Sequence, residues 1–181
     1  IGSGGSLTTS GNISGSWSAG ATHTINAGNQ GLTVNGDLIL SDGTSGHSIN
    51  LSAVAATVVL NGSLIESGGA NINFTGNTSM SIKNDFTYAS GTFTAGTGTV
   101  TYNGTNSQSI AAVTYNNLAV NKTSGIALVS AALTTNGNLS VTAGELDLNA
   151  NATVAGNVTI SSGATLYGDG ATINAGGNWS N

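Results

Sequence analysis

The sequence predicts an all-β protein, a single-stranded parallel β-helix (β-solenoid) of about 8 coils of ~20 residues with about three short strands per coil. Three observations carry that expectation. Apolar residues make up 38% of the 181 residues and charged residues only 5%, the reverse of the balance that keeps a chain disordered. Apolar residues alternate with small polar ones, as in Leu32-Thr33-Val34 and Leu146-Asp147-Leu148, and a period of two points side chains to opposite faces of a sheet. One pattern then recurs along the chain: an apolar–polar–apolar triplet, Asn, Gly, and a second alternating stretch.

The clearest copies are Leu32–Leu40 (LTVNGDLIL), Val58–Leu64 (VVLNGSL), Val100–Gly104 (VTYNG), Leu133–Val141 (LTTNGNLSV) and Ala152–Ile160 (ATVAGNVTI). Looser copies begin at Leu7, Met80, Leu118 and Ala171, so the starts lie 25, 26, 22, 20, 18, 15, 19 and 19 residues apart. No copy can bury its apolar side alone, whereas stacked copies share one core. A further strand per copy is read at Ile25, Ile49–Leu51, Ile72–Phe74, Ile126–Leu128, Leu146–Leu148 and Leu166. The alanine-containing stretch Leu51–Leu60 (LSAVAATVVL) lacks a cap pair and is valine-rich, so it reads as strand plus a wider turn. At ~4.8 Å per coil the array is a rod of roughly 40 Å. Residues 1-181 read as one continuous solenoid array, uncapped at both ends.

The Asn-Gly step predicts sharp corners that use positive φ. Asn35, Asn61, Asn103, Asn121, Asn136 and Asn174 share one repeat position and are expected to stack as an internal amide ladder that satisfies corner backbone groups. The aromatics Trp17, Phe86 and Trp179 are expected to mark variant coils and fill core.

Composition narrows the chemistry. Seven acids face two lysines, Lys83 and Lys122, with no arginine, so phosphate contacts and hence nucleic acid are not expected. No run of apolar residues is long enough for a membrane-spanning helix, and no membrane insertion is expected. Glu145 and Asp147 are the one close carboxyl pair, and both alternate outward from Leu146 and Leu148. No serine has a plausible triad, because only His23 and His47 could act as base. These histidines read as equivalent, one coil apart, but two ligands are too few for a metal centre. The expectation is therefore no enzyme, no catalytic residues, no metal and no cofactor. A row of outward threonines (Thr8, Thr33, Thr101, Thr134, Thr153 and Thr172) follows from β-propensity.

The stretch from Gly91 to Gly104 (GTFTAGTGTVTYNG) and the later Gly177–Asn181 (GNWSN) resemble the repetitive β-solenoid surface proteins of bacteria, the filamentous-haemagglutinin-like and autotransporter-like adhesins. That resemblance implies a secreted or cell-surface location and a rigid stalk that self-associates or adheres. The function expected is a structural extracellular protein that builds a stalk or filament by coil stacking. Its partners would be other copies of itself or neighbouring repeats of the same chain. Ile1, Leu7, Ile173 and Trp179 are the residues expected at a head-to-tail interface, because an open coil invites further pairing. The alternative is a glycan- or ice-binding module that uses a flat Thr/Asn/Ser wall, with cell-surface glycans as partners.

Overall fold

The computed structural model describes residues 4–15 and 20–181, which form a parallel β-solenoid of about eight turns with about 21 residues per turn; no helix occurs among them. Each coil contributes short strands to three faces. Face 1 runs the length of the rod through Leu7–Thr9, Leu32–Val34, Thr57–Leu60, Ser79–Ile82, Thr99–Tyr102, the first part of Asn117–Val129 and of Leu139–Leu148, Val158–Ile160 and Trp179–Ser180. Face 2 begins with Leu38–Ile39, Leu64–Glu66 and Phe86–Tyr88. It resumes with Gln108–Ser109, the second parts of Asn117–Val129 and Leu139–Leu148, and Thr165–Tyr167. Face 3 begins with Ala21–Gly28, His47–Ala53, Asn71–Phe74 and Thr92–Thr94, and resumes with Thr114–Tyr115, Leu133–Thr135, Ala152–Val154 and Ile173–Ala175.

Every ladder between named strands is parallel, as a solenoid wound in one direction requires. Equivalent residues therefore stack. The file Leu32, Val58, Met80, Val100, Leu118, Leu139 and Val158 is buried throughout, and so is the file Val34, Leu60, Ile82, Tyr102, Val120, Val141 and Ile160. Burying one such side chain contributes about 1.5–3 kcal/mol. These two face-1 files form a continuous apolar strip of the core along the rod. Leu51–Leu60 forms the end of one strand, the three-residue connection Val54–Ala56, and the next strand.

The repeat changes phase halfway along. On face 1 the steps are Leu7 to Leu32, Val58, Met80, Val100, Leu118, Leu139, Val158 and Trp179. Leu133 and Ala152, which the motif aligns with that series, lie instead on face 3. The cause is that one local motif turns two different corners. LTVNGDLIL carries the chain from face 1 to face 2, whereas LTTNGNLSV carries it from face 3 to face 1. The anomalous 15-residue step from Leu118 to Leu133 marks that switch and not a short coil. Likewise the further strands read as one set divide between face 3 (Ile25, Leu51, Ile72) and face 2 (Ala127, Leu146, Leu166).

The phase change has a structural consequence. Phe86–Tyr88 is the last strand of its face-2 ladder and Thr92–Thr94 the last of its face-3 ladder. They touch Gln108–Ser109 and Thr114–Tyr115 above them, but no ladder joins them; face 1 alone pairs across this level. Aromatic residues collect here. Phe74, Phe86, Tyr102 and Tyr115 are buried, and Phe93 lies 5.7 Å from both Phe86 and Tyr115 between ring centres. Large rings fill the core where ladder bonds are missing. Trp17 lies outside the described residues, and Trp179 is half exposed.

Candidate functional site

The corners hold a ladder two positions on from the expected one. The acceptor is an Asx side chain, which follows the glycine at each corner except Asn117, which follows Asn116, and the donor is the backbone N–H of the next coil. Asn12 Oδ1 accepts from Asp37 N at 2.8 Å, and Asp37 Oδ1 from Ser63 N at 2.7 Å. Past the phase change, Asn117, Asn138 and Asn157 accept in turn from Asn138 N, Asn157 N and Asn178 N at 2.8–2.9 Å. The glycines of these corners are required by close approach: φ is not positive at Gly36 or Gly156, and a Cβ there would run into the Asn12 or Asn138 carboxamide oxygen.

Of the residues before the glycines, Asn61 Nδ2 donates to Asn35 Oδ1 at 2.7 Å, and Asn35 Nδ2 to Thr9 O at 2.8 Å. Lys83 follows them in register, which interrupts the row before Asn103, whose buried Oδ1 has no hydrogen-bond partner. Asn121 is exposed opposite Ala143 on face 1. Asn136 and Asn174 belong to face 3, the former after its strand and the latter within it opposite Thr153. The six therefore do not form one row, because the motif they share sits at two corners.

A buried polar cluster closes the corner at the phase change. Lys122, 1% exposed, donates from Nζ to Gly104 O, Asn106 O and Gln108 Oε1, each at 2.8 Å. Gln108 Nε2 donates to Ile82 O at 3.0 Å and to Asn84 O, and Gly104 N donates to Gln108 Oε1 at 2.8 Å. Burial lowers the Lys122 pKa, and the charge of Asp85 opposes that shift. These side chains take over backbone satisfaction where no ladder forms. Burial of a lysine and a glutamine was not legible in the sequence; the signal available was their rarity in a chain of small residues.

Face 3 carries the most regular polar wall. Its outward residues come in pairs, Thr24 with Asn26, Asn50 with Ser52, Asn71 with Asn73, and Thr92 with Thr94. A groove of about 530 Å³ runs over all of these except Asn26. A second cleft of about 330 Å³, lined by Tyr88, Gly91, Phe93, Val113 and Thr114 among others, lies at the break in the face-3 ladder. The expected threonine row divides: Thr8, Thr33 and Thr101 are on face 1 with Val59 and Ser81 between them, and Thr134 and Thr153 are on face 3.

Titratable groups are dispersed. His47 sits opposite Ala21 and His23 opposite Ile49, so the two are out of register by two residues. His47 Nδ1 bonds Asp42 Oδ2 at 2.8 Å, a contact that lowers the Asp42 pKa. Glu145 and Asp147 lie two residues apart on face 2, outward of buried Leu146 and Leu148. No group of three or more His, Cys, Asp or Glu that could hold a metal occurs among the described residues. Glu66 is 0% exposed, and neither carboxyl oxygen has a hydrogen-bond partner. Burial pushes its pKa up to about 8.

Among the described residues, Leu7 (37% exposed) pairs with Leu32 alone, and Trp179 (50% exposed) with Val158 alone. Ile173 is half-buried and pairs with Ala152, while Ile1 lies outside the described residues. Comparison of the chain with family models, with curated proteins and with solved structures finds no match to any of them.

Proposed function

We propose that this protein is structural material: a rigid extracellular stalk or filament whose length grows by adding coils, in the manner of the filamentous-haemagglutinin-like and autotransporter-like repeats it resembles. One observation supports the reading above others. On face 1 the buried inner files stack in parallel register from coil to coil. The same pairing accommodates a further coil, of the same chain or of a second copy, without a new kind of contact. A low-charge, threonine-rich exterior suits a secreted or surface-displayed rod with an adhesive role. Electron microscopy and small-angle scattering test the reading: concentrated protein should give rods or fibres longer than one solenoid. Monodisperse particles of single-chain length at all concentrations count against it.

A second reading, a glycan- or ice-binding module, is favoured by the paired polar rows of face 3 and the groove over them. A glycan array and a thermal-hysteresis assay test it, and silence in both removes it.

A further inference from the structure

Glu66 and the break in the ladders lie together. Glu66 closes its face-2 strand and pairs with Tyr88, in the last strand before the break. Its Oε1 faces the Cα of Gly91, which lines the 330 Å³ cleft together with Tyr88, Thr92 and Phe93. Tyr88 Oη donates to Gly91 O at 2.8 Å and so fastens the corner over the carboxyl. Gly91 has φ 124, a conformation that L side chains rarely adopt, and a Cβ there would strike Ala70 O. A fully buried carboxyl with no partner is rare in folded proteins and calls for an explanation.

We propose that this level of the rod is a joint: when the Glu66 carboxyl ionises, the segment Tyr88–Thr94 opens at Gly91 and admits water through the cleft. Opening here breaks no ladder toward the coil above, because none exists on faces 2 and 3, while face 1 keeps the two halves of the rod connected. The groups around Glu66 do not supply a counter-charge. Tyr88 stands opposite on the strand above. The corner packed below carries Asp42 and His47, already bonded to each other. From the Thr92 strand comes a backbone N–H that is donated to Ala70 O. Burial therefore dominates over the opposing contact from the Thr92 backbone, and hydration would stabilise the charged form further.

Hydrogen exchange of the full chain between pH 6 and pH 9, normalised to unstructured peptides of the same sequence, tests this. If the open state has an ordinary glutamate, protection of the 86–94 amides should fall about tenfold per pH unit until about pH 8. The face-1 amides of Thr57–Leu60 should hold, and Glu66→Gln should abolish the fall. An equal fall in Glu66→Gln, or one spread evenly over all faces, overturns the proposal. Should the glutamine variant not fold, carboxyl ¹³C titration of the parent decides. A Glu66 midpoint near 8, tracked by the Gly91 and Thr92 amide shifts, supports the joint. A midpoint in the ordinary glutamate range overturns it.

Discussion

Replacing Lys122 with Met asks how much a buried ammonium contributes where the rod changes phase. Methionine fills most of the volume of the lysine stem and adapts to irregular space, so the substitution isolates the charged head. The head makes three hydrogen bonds of 2.8 Å. Bonds with a charged partner are worth about 1.5–3 kcal/mol each, but removing an ammonium from water offsets several kcal/mol of that. In the variant Gln108 Oε1 keeps its bond from Gly104 N. Gly104 O and Asn106 O lose the ammonium donor, at about 1–3 kcal/mol each. The expected net loss is about 3 kcal/mol at pH 7, read by urea denaturation with the m-value unchanged. The sign with pH follows from the lowered pKa. The unfolded chain holds this proton more tightly, so the contribution of Lys122 is lowest at neutral pH and rises as pH climbs toward the ordinary lysine range. That alkaline rise should be missing in Lys122→Met. A variant as stable as the parent, or more stable, would refute the view that the ammonium satisfies otherwise stranded carbonyls.

Three further outcomes are expected. Gly156→Ala should lower stability by about 1–3 kcal/mol through overpacking, since its Cβ meets Asn138 Oδ1 and the Gly137 backbone; a thermal melt checks it, and no change would mean that neighbouring coils can spread. Leu60→Ala, within a buried file, should lose about 2–5 kcal/mol in chemical denaturation. Trp179→Lys should leave stability within about 0.5 kcal/mol, as for an exposed site, yet suppress fibre growth because edge lysines block strand addition; turbidity and microscopy read the difference.

Much of the architecture was legible because solenoid pairing repeats the same local pattern. Alternation marked strands such as Leu32–Val34 and Val158–Ile160, and the six starts from Leu7 to Leu118 fall in one register on face 1. The corner amides were less legible. Asn stands before the glycine in most of these motifs, yet it is the residue after the glycine that meets the coil below, and the sequence does not say which of the two does so. The buried Glu66, Lys122 and Gln108 were illegible, because a strand residue's inward or outward direction is inferred from its neighbours' polarity, and these three are polar residues that point inward.

Strand content, parallel stacking and the absence of amphipathic helices thus reside in the chain's own alternation and turn residues, because those features depend on neighbours within one coil. Which corner a motif turns depends on the lengths of the other two corners and on the coil beneath. Only the assembled rod settles that LTVNGDLIL leaves face 1 and LTTNGNLSV enters it. The same contacts decide where the ladders break. At that level, a lysine, a glutamine and a cluster of rings stand where faces 2 and 3 lack ladder bonds.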